Sequence, residues 1–136
     1  LEGAKQDDVA RQQIRDLDDI SWGDAEGYTR QQFMEENNLD EFPDAFGDTD
    51  DADFVSPIHA ETKYHFYQRF NNGMQQIIDD IKPGENVLVV AHSSMQFWLE
   101  KQFPEVQGQD IANLSVTVIK VNHGKKELVE YNQVMY

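Results

Sequence analysis

Apolar residues are sparse at the start of the chain. Across residues 4–16, Val9 and Ile14, with Leu17 just beyond, stand alone among polar neighbours, and the stretch reads as the amphipathic end of a helix already under way. Gly23 and Gly27 then interrupt the pattern and predict a loop. A second short helix is expected over residues 29–37, carrying Phe33 and Met34, before an acidic, turn-rich stretch over 39–57. The strongest periodicity follows. Phe66, Phe70, Met74, Ile77, Ile78 and Ile81 recur at three- and four-residue steps and form one stripe of a helix over 61–81. Lys82-Pro83-Gly84 ends it, because proline cannot continue a helix. Val87-Leu88-Val89-Val90-Ala91 is a continuous apolar run of strand length, suited to a strand buried on both faces in a parallel sheet covered by helices. After Ser93-Ser94 another helix carries Met95, Phe97, Trp98 and Leu99. Residues 115–121 and 127–131 flank Asn122-His123-Gly124-Lys125 and read as a hairpin. The order helix, turn, apolar strand, helix is the grammar of an α/β fold in one domain, without internal repeats.

Composition narrows the partners. A hydrophobic fraction of 39% with 11% aromatics is enough for one core in 136 residues. Acidic residues outnumber basic ones 26 to 11, for a formal net charge of -15. Such a field repels nucleic acid and anionic membrane surfaces, so neither is an expected partner. It also repels a phosphate ester, so an anion site needs local positive groups. Without cysteine there are no disulfides or thiolate metal sites. No apolar run nears the roughly 20 residues that span a bilayer, and the N-terminal residues lack the layout of a signal peptide. Cytoplasmic placement is the expectation.

Two candidate sites fail on their own chemistry. An EF-hand loop beginning at Asp48 needs glycine at its sixth position and glutamate at its twelfth, where this chain has Asp53 and His59. His59-Ala60-Glu61 resembles the His-x-Glu of zinc deaminases, which also require paired cysteines. The 39–57 stretch therefore reads as a solvated acidic loop, and no metal site is expected.

The informative place is residues 87–95. A histidine, His92, stands at the tip of an expected buried strand, and Ser93-Ser94 open a helix. In open α/β sheets, ligands bind in the crevice beyond the strand ends. A helix N-terminus there favours an anion. His92 either donates to a bound phosphate or hydrogen-bonds a loop carbonyl. Ser93 and Ser94 either donate to phosphate or cap the helix.

These residues resemble the second conserved motif of the histidine phosphatase (phosphoglycerate-mutase-like) superfamily, a short apolar strand followed by Ser-His-Gly. Here the run is Ala91-His92-Ser93, with serine in place of the glycine. Leu17-Asp18-Asp19-Ile20-Ser21-Trp22-Gly23-Asp24-Ala25-Glu26-Gly27 is similar to the family's Leu-x-Glu-x-x-Phe-Gly-x-x-Glu-Gly. Pro57-Ile58-His59-Ala60-Glu61-Thr62 looks like the Gly-Gly-Glu-Ser segment that opens the long helix. Asn113-Leu114-Ser115-Val116-Thr117-Val118 resembles the asparagine and strand after the histidine helix.

The resemblance implies a three-layer α/β/α fold with a mostly parallel sheet and an antiparallel edge strand. This chain would hold the C-terminal two-thirds, one partial domain over 1–136 with 28–57 as an acidic insertion over the active site. The implied activity is metal-independent hydrolysis of a phosphomonoester through a phosphohistidine, on a small phosphorylated metabolite, with no cofactor. His92 takes the place of the second, phosphate-contacting histidine, with Ser93 beside it as a phosphate-binding residue. Asp19 takes the place of the proton donor, where the family more often has glutamate. Glu26 and Glu61 match positions that support the site from behind or belong to the scaffold. The nucleophile's motif, Arg-His-Gly, occurs nowhere: the histidines are His59, His65, His92 and His123, and none follows an arginine. The expectation is that the nucleophile lies outside this chain, on a missing N-terminal segment or a swapped protomer, and that the chain alone is inactive. A phosphoglycerate mutase is disfavoured by the short 28–57 insertion. A pseudoenzyme or anion-binding module that keeps the pocket without turnover is the alternative, and an acidic interaction protein rests on charge alone.

Overall fold

The computed structural model describes residues 9–136, so the first part of the helix expected over 4–16 lies outside the described residues. Residues 9–14 form no helix, and a 3₁₀ turn occupies Arg15–Leu17. Val9, Ile14 and Leu17 lack the three-and-four spacing that would give a helix one buried face. Instead Asp16 and Leu17 lie against Gly73, where an added Cβ would sit 3.0 Å from the Asp16 Cβ and 2.8 Å from a Leu17 methyl.

Helix α1 spans Arg30–Glu36 and opens with a capping box: Thr29 Oγ1 accepts from Gln32 N, and the Gln32 side chain accepts from Thr29 N. Helix α2, Lys63–Asp80, begins at Thr62, whose hydroxyl accepts from His65 N. Its stripe is buried unevenly. Phe66 and Phe70 are buried and stacked on one another, whereas Ile77, Ile78 and Ile81 are only half-buried. Helix α3, Gln96–Gln102, follows a 3₁₀ turn at Ser93–Met95 and lays Trp98 and Leu99 against Phe66 and Phe70. The buried indole still meets its polar need, because Trp98 Nε1 donates to Asn71 Oδ1 at 2.9 Å.

Strands β1, Ser115–Asn122, and β2, Lys125–Val134, form an antiparallel hairpin in which Asn122 pairs with Lys125. The two connecting residues, His123 and Gly124, both have positive φ, the signature of a type I′ turn whose twist matches the strands. Ile119 and Leu128 of the hairpin pack on the α2–α3 core.

The acidic stretch after α1 is not merely a solvated loop. Its carboxylates face water, but Phe42, Ala45 and Phe46 turn inward with Trp22, Phe33 and Ile58 to make a second small core. Asp44 and Asp51 cap local turns by accepting from backbone amides within three residues.

The run 87–91 differs from the expected buried strand. Val87, Leu88 and Val90 are 51%, 72% and 85% exposed, and no other segment among the described residues pairs with this backbone. A strand with two apolar faces needs neighbours on both edges, and residues 9–136 supply none there. The sheet among the described residues is the two-stranded hairpin alone, within a mixed helix-and-strand chain. No helix among the described residues is long and apolar enough to cross a membrane.

Candidate active site

The loop over residues 16–27 is held from beneath by α2. Arg69 lies at the middle of that helix, with its guanidinium over the Phe66 ring. It donates to the carbonyls of Asp16, Asp18 and Asp19 at 3.0, 2.8 and 2.8 Å, and grips both carboxylate oxygens of Glu61 at 2.6 and 2.7 Å. Glu61 also accepts from Ser21 N, and its own amide donates to Ser21 O. The Glu61 contacts and nearby Asp18 and Asp16 hold the Arg69 pKa above its ordinary value, against the opposing pull of burial.

This scaffold presents Asp19 to the start of the α3 segment, 75 residues along the chain. Asp19 Oδ1 accepts from Ile20 N at 2.9 Å and from the buried Ser94 hydroxyl. Asp19 Oδ2 lies 3.7 Å from His92 Nδ1. Both side chains remain open to solvent, His92 at 65% and Asp19 at 44%. His92 directly precedes the 3₁₀ turn, and its carbonyl accepts from Met95 N. Ser93 is exposed at the first position of that turn, and neither it nor Ser94 caps the turn with its side chain. The amides of Ser93 and Ser94 have no backbone partner among the described residues.

Glu26 stands apart from this group: its Oε1 accepts from Trp22 N at 2.6 Å and closes the tight turn at Gly23–Ala25. Beyond Trp22 a cavity of about 270 Å³ is lined by Trp22, Glu26, Tyr28, Arg30 and Phe42. Arg30 lies over the Trp22 and Phe42 rings, 5.6 and 5.1 Å from their centroids. Among the described residues, no three histidine or carboxylate side chains converge in a way that could hold a metal ion.

A profile of the histidine phosphatase superfamily (branch 1) matches residues 2–134, nearly the whole chain. The chain belongs to the histidine phosphatase superfamily. Comparisons with curated proteins and with solved structures returned no match. Within a histidine phosphatase, this site brings together three residues from two distant segments: Asp19, His92 and Ser94. Ser93 is exposed and hydrogen-bonds neither Asp19 nor His92, and Glu26 and Glu61 bond backbone and Arg69 rather than the open face. Sequence reasoning overlooked Arg69 and Arg30. Arg69 is the sole arginine or lysine between Lys63 and Lys82, and a lone arginine beside an apolar stripe was the signal that could have marked it.

Proposed function

We propose that this histidine phosphatase chain carries the proton-donor and phosphate-contacting half of a metal-independent phosphomonoesterase acting on a small phosphorylated metabolite. The observation that supports it is the meeting of Asp19 and His92, 3.7 Å apart on an open face, in a chain of this superfamily.

The geometry suggests distinct duties for the two carboxylate oxygens. Oδ1 already accepts two hydrogen bonds, which leaves Oδ2 as the oxygen that carries a proton. A histidine nucleophile attacks phosphorus, the P–O bond to the leaving group breaks, and Asp19 delivers its proton to the departing oxygen. His92 as imidazolium donates to a phosphoryl oxygen and offsets its charge. In the second step the Asp19 carboxylate takes a proton from water, whose oxygen attacks the phosphohistidine and releases phosphate. Arg69 supplies no charge to the phosphate in this scheme, because Glu61 neutralises it.

The nucleophile comes from outside these residues in this reading, since no Arg-His-Gly occurs in the sequence. It arrives on further residues of the same polypeptide or on a swapped protomer, as a strand against 87–91. That addition completes a three-layer α/β/α fold with a mostly parallel sheet, and the exposure of Val87, Leu88 and Val90 supports it. The same missing motif favours a second reading, an anion-binding module without turnover.

The test uses the full-length protein. Asp19→Asn is expected to slow hydrolysis of an alkyl phosphate on the order of 10²–10⁴-fold, the usual contribution of a general acid. Turnover of p-nitrophenyl phosphate, whose leaving group needs little protonation, should fall far less. Equal slowing of both esters removes Asp19 from the donor role. His92→Ala is expected to weaken vanadate binding, and unchanged anion affinity with unchanged turnover would sink its assignment. Vanadate binding without any hydrolysis by the unaltered protein selects the binding module.

A further inference from the structure

We propose that Arg69 is the positioning residue that holds Asp19 in its donor geometry, an inference that rests on the reading of Asp19 as general acid. A guanidinium has five N–H groups, arranged in a rigid planar fork. In this structure every one of them has an acceptor. Nε and one Nη2 hydrogen go to the two oxygens of Glu61, both Nη1 hydrogens go to Asp16 and Asp18 carbonyls, and the remaining Nη2 hydrogen goes to the Asp19 carbonyl.

Three of these bonds grip the backbone of the donor loop, the last at the donor residue itself. Glu61 extends the grip past Asp19, accepting from Ser21 N while its amide donates to Ser21 O at 2.9 Å. The backbone on both sides of Asp19 is therefore tied to one point on α2. Gly73, one turn further along α2, lets the preceding residues lie directly on the helix, since any side chain there would strike Leu17. With its backbone fixed from below, the Asp19 side chain has one free choice, and Ser94 settles it by donating to Oδ1. The bidentate Glu61 contact holds the Arg69 pKa further above its already high ordinary value, so the guanidinium keeps its charge.

Lysine at this position keeps the charge but has three donors and no fork, so it cannot hold Glu61 and three carbonyls together. The donor loop then shifts. Misplacement of a reacting group by about 1 Å costs on the order of 10²-fold in rate. The substitution should therefore imitate loss of the donor without removing it.

The experiment compares Asp19→Asn, Arg69→Lys and the double variant in the full-length protein, on an alkyl phosphate and on p-nitrophenyl phosphate. Arg69→Lys is expected to lower kcat for the alkyl ester by about 10- to 100-fold, with a much smaller effect on the aryl ester and little change in vanadate affinity. Added to Asp19→Asn, it should cost nothing further on the alkyl ester, because the group it positions is already gone. Equal slowing of both esters by Arg69→Lys, or full additivity in the double variant, overturns the proposal while leaving a selective Asp19→Asn effect intact. If Asp19→Asn itself is unselective, the donor reading fails and this inference fails with it. Should Arg69→Lys not fold, Glu61→Gln takes its place. It keeps the side chain's shape but replaces one acceptor of the fork with a donor, and an unchanged alkyl-to-aryl ratio in that variant overturns the proposal equally.

Discussion

Gly23 shows how much of the site depends on a single missing Cβ. Its φ is positive, and an added Cβ would lie 2.3 Å from the Ile58 carbonyl oxygen, 2.4 Å from the His59 carbonyl carbon and 2.5 Å from the Ala60 nitrogen. All three are backbone atoms, which cannot turn aside. The crossing is locked by Asp24 N donating to Ile58 O and by the Asp24 carboxylate meeting His59 Nδ1 at 2.8 Å. Overpacking of about 1–3 kcal/mol, added to roughly 1–2 kcal/mol for left-handed backbone, makes Gly23→Ala strongly destabilising. We expect a Tm lower by on the order of 5–15 °C for a domain of this size; a melt within 2 °C of the unaltered protein would refute it, as estimated on the same scale. At this scale the sequence names candidate residues but not their partners. Gly23 was legible as a loop signal, and Asp19 and His92 through resemblance. The contacts that give them meaning, with Ile58, Ser94 and Arg69, lie tens of residues away and leave no local trace.

Among the elements, those governed by local rules were legible within a few residues. The α1 capping box, the α2 stripe with its proline stop, and the Asn-His-Gly-Lys turn of the hairpin are all short-range signals. Residues 87–91 were not, because a strand exists only where another strand accepts its hydrogen bonds. The hairpin is tied down by a longer-range contact: the Tyr131 hydroxyl donates to Gln109 O at 2.9 Å. Burial raises its pKa, aided by the nearby charges of Glu100 and Asp110. The folded value lies above the unfolded one, so the neutral phenol stabilises the fold fully below the unfolded pKa, about 10. That contribution is lost as pH rises through the folded value. Tyr131→Phe should therefore be less stable at neutral pH, by about 0.5–1.5 kcal/mol for one hydrogen bond. Its deficit should shrink in strongly alkaline buffer, read from urea midpoints at each pH. A deficit that stays constant across the range would show that the hydroxyl plays no part.

For the molecule as a whole, the decisive quantity is apolar surface left open to water. Val87, Leu88 and Val90 are exposed beside a backbone without partners among the described residues, and Val116, Val118 and Val129 are exposed on the hairpin. Unpaired, apolar backbone of this kind is a template for association. The 136-residue chain, purified alone, is expected to self-associate with rising concentration in sedimentation experiments and to give no turnover of p-nitrophenyl phosphate. A monodisperse monomer that melts cooperatively, or turnover that depends on His92, would contradict this. The net charge of -15 opposes association, so the effect should strengthen as salt screens it.

The fork at Arg69 also restricts how this sequence can drift. Its backbone acceptors are carbonyls, indifferent to which side chains residues 16 and 18 carry, so those positions are free to vary without loosening the loop. The Glu61–Arg69 pair has no such freedom. Both partners are partly shielded, with the Arg69 side chain 25% and Glu61 18% exposed, and removing one leaves the other's charge without its partner. A first step away by either residue alone weakens the grip on the loop. Descendants of this chain should keep both or exchange both, and a homologue with one replaced should show a second change that takes over the orphaned charge.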